Sequence, residues 1–100
     1  MTGKEMNSIS QILEVLTLNR MAIEMSGRGN HDLALETLDI AVTLAPKFVS
    51  AFCEMGCCYE KLGQYPEAVS EFDKVIEMHP SHIEAKMNKN RILEKIRSDK

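Results

Sequence analysis

Apolar residues recur along this chain at spacings of three and four, with polar residues between them. Phe52, Met55, Gly56 and Tyr59 fall on one face of a helix at this spacing. Gly63 breaks the pattern, as a residue after a helix end does. Pro66 fits the first turn of a following helix, where its missing N–H costs nothing. Ala68, Val69, Phe72, Val75 and Ile76 carry the buried face of that helix, and Pro80 ends it. An earlier stretch repeats the scheme. Leu18, Met21, Ala22 and Met25 come first, then a break from Gly27 to Asn30, then Ala34, Leu38, Ala41 and Val42, and a stop at Pro46. No run alternates with period two, so no strand is expected.

The two stretches coincide when the chain is shifted by 34 residues. Val15 falls on Val49, Met21 on Met55, Gly29 on Gly63, Ala34 on Ala68, Asp39 on Asp73 and Pro46 on Pro80. Ala22 falls on Gly56 and Leu38 on Phe72, near-matches in size and chemistry. A period of this length marks stacked supersecondary units. The expected division of the single domain 1–100 is a first repeat at 15–48, a second at 49–82, an extension of the first helix at 1–14, and a capping helix with a basic tail at 83–100. Ala22 and Gly56, facing Ala34 and Ala68, let antiparallel helices approach closely. A larger residue at Gly56 or Ala68 would overpack that crossing.

A third unit beginning at Ile83 places Lys86, Lys89 and Asn90 where Phe52, Met55 and Gly56 stand. Ile83, Ala85, Ile92, Leu93 and Ile96 keep one apolar face. Residues 82–97 therefore read as a cap, apolar inside and solvated outside. At the other end Ser8 and Gln11 suit a capping box. Ile9, Ile12, Leu13, Val15 and Leu16 follow, so the first helix is expected to start about six residues before the repeat register. That end has no polar cap, which raises self-association as an expectation.

Composition narrows the function. The chain has 100 residues, 44 % of them apolar, and a formal charge of −3. From Glu84 onward six bases face three acids, so the preceding body carries −6. An acidic body argues against nucleic-acid binding, which needs a broad basic face. No apolar run reaches the roughly 20 residues of a membrane span. No signal core opens the chain, and three cysteines make no disulfide framework, so a cytoplasmic setting is expected. Cys53 and Cys57 lie four apart on one helix face, a spacing that suits a metal. His31, His79 and His82 sit at turns, however, and nothing in the sequence brings them to the cysteines. No metal or other cofactor is expected. Neither a nucleophile elbow, a phosphate loop nor an HExxH motif is present, and the carboxylates are scattered over faces expected to be solvated. The methionines at helical spacing, Met21, Met25, Met55, Met78 and Met87, read as core, and Tyr65 before Pro66 as a packing residue.

The pattern resembles the tetratricopeptide repeat. Phe52, Met55, Gly56, Tyr59, Ala68, Phe72, Val75 and Pro80 stand at that family's marked positions, with Val75 where it favours alanine. Leu18, Met21, Ala22, Met25, Ala34, Leu38, Ala41 and Pro46 match less closely. The resemblance implies an all-α fold of five helices: two antiparallel helix-turn-helix repeats stacked as a short right-handed solenoid, with a C-terminal solvating helix. It also implies a non-catalytic protein-interaction module, an adaptor or scaffold holding a partner peptide or helix in a concave groove. The groove positions fall on Asn19, Arg20 and Ile23, on Ser50, Cys53, Glu54 and Cys57, and on Glu84, Met87 and Arg91. Ile23, Cys53, Cys57 and Met87 would bury an apolar anchor, while Asn19, Arg20 and Arg91 would orient it. One branch of the family grips chaperone C-terminal carboxylates with bases. Here Asn19, Ile23, Glu54, Glu84 and Asn88 hold those places, which argues against a chaperone tail. A self-assembling unit using the N-terminal helical face stays open beside the adaptor.

Overall fold

The computed structural model describes residues 3–99, with side chains from Ile9 onward. Five helices follow one another: α1 (Gly3–Gly27), α2 (His31–Leu44), α3 (Val49–Lys61), α4 (Tyr65–Met78) and α5 (Ile83–Ser98). No strand occurs among the described residues. The chain is an all-α helical repeat. Two turns of identical construction end α1 and α3. Gly29 and Gly63 adopt φ of +87° and +77°, a region that favours glycine. Past each, an N–H reaches back over the helix end: Asn30 donates to the Met25 carbonyl and Gln64 to that of Tyr59, both at 2.9 Å. Gly29 and Gly63 donate to Ser26 and Glu60, completing a Schellman motif at each site. Pro66 lies in the first turn of α4, and Pro46 and Pro80 stand in the turns after α2 and α4.

Each helix packs on the next, so the core is one continuous seam. Phe72, Leu38, Ile92, Val75 and Cys58 are its largest fully buried side chains. At the crossing of α3 and α4 the close approach is between Gly56 and the Phe72 ring. A Cβ built at Gly56 would stand 2.6 Å from Phe72 Cζ. Gly56 is thus small because the Phe72 ring stands against it, a contact the sequence did not name. The first repeat holds the matching pair Ala22 and Leu38, both buried. One repeat uses a small residue against a branched one, and the other no side chain against a ring. Two methionines depart from the core expectation, Met21 being 40 % and Met87 63 % exposed.

α5 covers α4 with Ala85 and Ile92, both fully buried, and with half-buried Ile96. Ile83 and Leu93 stay exposed, so the cap is narrower than its apolar pattern. Ion pairs widen it. Glu60 on α3, its side chain only 9 % exposed, accepts from Arg91 at 2.6 Å and Lys95 at 2.7 Å. Lys89 pairs with Asp73 at 2.6 Å, and Lys95 stands 5.7 Å over the Tyr65 ring. Glu71 is also buried, paired with Lys74 at 3.2 Å. Two carboxylates therefore leave the solvated faces on which the sequence put them. Burial opposes the charge of Glu60, but the hydrogen bonds and charges of Arg91 and Lys95 outweigh it, holding its pKa below 4.5. Stability from this cluster is present above glutamate's ordinary pKa and lost as pH falls through the lowered folded value. Glu60→Gln is expected to cost about 1 kcal/mol at neutral pH, since both cations are half exposed. It is also expected to flatten the acid limb of stability against pH. Urea denaturation across that range reads both effects, and an unchanged acid limb would remove Glu60 as the cause.

α1 departs most from the sequence reading. It begins by Gly3, so Ser8 lies inside the helix rather than capping it, and the Ser8 side chain falls outside the described residues. Its 25 residues span about 37 Å. Its partner α2 has 14. The first turns of α1 thus overhang the body, and the molecule measures 58 × 30 × 16 Å. Ile9, Ile12, Leu13 and Leu16 form a stripe on this overhang, each more than half exposed. Beside the stripe, Ile12, Val15, Leu16, Leu44, Ala45 and Phe48 line an apolar hollow of about 300 Å³.

Candidate functional site

The odd-numbered helices lie side by side, and their side chains join across the seams. Asn19 on α1 donates from Nδ2 to Ser50 Oγ on α3 at 3.1 Å. Further along, the Cys58 thiol donates to Ser26 Oγ at 3.7 Å, and Ser26 meets His31 Nδ1 at 3.0 Å. Between α3 and α5 the links are Glu60 with Arg91 and Cys53 with His82. These contacts fix the three helices as one layer, with α2 and α4 packed behind it.

His82 is the residue the sequence left remote from the cysteines. It caps α5, its Nδ1 accepting from the Ala85 N–H at 3.1 Å. With Nδ1 occupied as acceptor, the ring proton sits on Nε2, which donates to Cys53 Sγ at 3.9 Å. The repeat period carried a signal for it. Shifted by 34, His82 falls on Phe48, the residue before α3.

Of the groove positions, Cys53, Glu54 and Cys57 are half-buried on α3, and Glu84 and Met87 are exposed on α5. Burial, then the charge of Glu84 and of Glu54, pushes the Cys53 thiol up to about 11. Burial and neighbouring acids, Glu54 first, raise Cys57 to about 11 as well. Both sulfurs therefore remain thiols near neutrality, soft and uncharged, which disfavours nucleophilic or metal-binding work. Among the described residues no three histidine, cysteine or carboxylate groups converge on one point as metal ligands do. Glu54 is itself raised above its ordinary value, by burial and by Glu84. A half-buried carboxylate facing a second one is an environment that a cation relieves.

The remaining positions differ in availability. Asn19 is 91 % buried, and its Oδ1 has no hydrogen-bond partner, while Ser50 is exposed. Arg20 and Ile23 are exposed on α1. Arg91 is already engaged by Glu60 and by Asn88 Oδ1 at 2.7 Å. Asn19 and Arg91 thus hold the layer together, while Cys53, Glu54, Cys57, Glu84 and Met87 line its surface.

Comparison with known proteins gives consistent likenesses. The family described as Tetratricopeptide repeat matches residues 49–82. The Photosystem I assembly protein Ycf3 of Prochlorococcus marinus (strain MIT 9215) is 38 % identical over 58 residues, 58 % of this chain and 34 % of its own length. The Small glutamine-rich tetratricopeptide repeat-containing protein 2 of Mycosarcoma maydis is 34 % identical over 61 residues, 61 % of this chain and 17 % of its own length. The chain therefore spans about a third or less of the relatives it matches. Among solved structures, MamA from Desulfovibrio magneticus RS-1 superimposes with a TM-score of 0.81 at 27 % identity, over 85 % of this chain and 48 % of that one. The TPR2AB domain of yeast Sti1 gives 0.80 at 17 % identity, over 95 % of this chain and 39 % of that one, a likeness of fold.

Proposed function

Since this chain is a tetratricopeptide-repeat protein, we propose that it is a non-catalytic adaptor that holds a peptide or helix of another protein against α1, α3 and α5. The observation that carries this reading is the lining of that layer. Protonated Cys53 and Cys57 with exposed Met87 offer a soft apolar seat, bordered by Glu54 and Glu84. Such a seat takes an apolar anchor flanked by lysine or arginine, and repels an acidic chaperone tail. Ile23 and Arg20 extend it along α1, and Asn19, Ser50 and Arg91 shape its floor. A relative named for assembly of a photosystem agrees with a role in bringing proteins together.

Cys53→Glu tests the groove by adding a third carboxylate beside Glu54 and Glu84. In a pull-down from native lysate, with bound proteins identified by mass spectrometry, a partner is expected with the wild type and lost with the variant. Circular dichroism confirms that the variant is folded. The same partners on both proteins would rule the groove out as the binding surface. A second reading, self-assembly through the N-terminal helical face, is favoured by one observation: the uncovered stripe Ile9, Ile12, Leu13 and Leu16.

A further inference from the structure

We infer that two copies of this chain pair antiparallel about a two-fold axis through the overhang of α1, between Ile12 and Leu13. This rests on the self-assembly reading and gives it a geometry. The stripe Ile9, Ile12, Leu13, Leu16 has spacings of three, one and three, which read the same in both directions. In an isologous pair residue i meets residue j while j meets i, so in the antiparallel arrangement such a spacing sets apolar against apolar along the whole stripe. With the axis at the centre, Ile9 of each copy lies opposite Leu16 of the other, and Ile12 opposite Leu13. Each Ile9 then reaches the mouth of the 300 Å³ hollow, which Leu16, Leu44 and Phe48 help to line. Polar Ser10 and Thr17 are exposed beside the stripe and stand at its rim.

Area is sufficient for a stable pair. The four side chains are 51–61 % exposed. They present on the order of 400 Å² per copy; with the usual polar share, a pair buries about 1,300 Å², within the range of stable complexes. Because the pairing closes on itself, it ends at a dimer and does not propagate.

The test combines solution mass with cross-linking. The wild type is expected to be dimeric by sedimentation equilibrium at high micromolar concentration. Leu13→Asp sets two carboxylates beside the axis and is expected to weaken the pair by more than about a hundredfold, with an unchanged helical content by circular dichroism. Chains carrying Ile9→Cys mixed with chains carrying Leu16→Cys are expected to cross-link to each other under mild oxidation, with the joined peptides mapped by mass spectrometry. A monomeric wild type would overturn both this geometry and self-assembly. A dimer that Leu13→Asp leaves intact overturns both the α1 interface and self-assembly through the N-terminal helical face. A cross-link joining two Ile9→Cys chains instead overturns the antiparallel register alone. Cys53→Glu is expected to leave the mass unchanged, which separates this surface from the groove.

Discussion

Phe72→Ala is expected to remove about 3–5 kcal/mol of folding stability, the largest single loss among these predictions. The ring is fully buried and is the largest such side chain in the core. It stands where α4 meets α3, with its tip against the backbone of Gly56. Truncation removes the buried area of the ring and leaves a void that helices anchored by neighbours on both sides cannot close. A domain of this size has only about 5–15 kcal/mol in total, so the loss is a large part of it. Chemical denaturation gives the number directly. A loss below about 1 kcal/mol would mean that the ring does not fill this seam.

Gly56→Ala is expected to be the second largest, a net loss of about 1–2 kcal/mol in spite of alanine's better helix propensity. That propensity favours alanine by about 1 kcal/mol. Against it, the added methyl would meet three Phe72 ring carbons at 2.6–3.0 Å, well inside contact distance. A fully buried ring has no space into which to move, so overpacking outweighs propensity. The first repeat shows the remedy, since Ala22 and Leu38 occupy the same two positions. Gly56→Ala combined with Phe72→Leu is therefore expected to lose at least about 1 kcal/mol less than the two single losses added together. Additive losses would show that the two positions do not share this contact.

The internal symmetry that suggests the remedy also shows how far the sequence reaches. Gly29, Gly63, Pro66 and the 34-residue period locate the turns, because helix ends obey local rules. A left-handed glycine and a proline act within a few residues of themselves. The apolar faces likewise follow from the 3.6-residue turn, so Ala68, Phe72 and Val75 were legible as core. Groove residues were legible only as register positions. That Arg91 would be spent on Glu60, or Asn19 on Ser50, depends on partners 31 residues away in each case. The His82 contact to Cys53 is of the same kind: its place in the register could be read, but its reach across to α3 could not.

The sequence alone thus determined the all-α repeat, its turns and the apolar face of each helix. These follow from spacing and backbone preference, which act along the chain. Tertiary structure decided the rest. It set Gly56 against Phe72, drew Glu60 and Glu71 out of water, and left the apolar stripe Ile9, Ile12, Leu13 and Leu16 uncovered. A periodic pattern states which side of a helix is apolar. Only the length and position of the neighbouring helix determine how much of that side is covered.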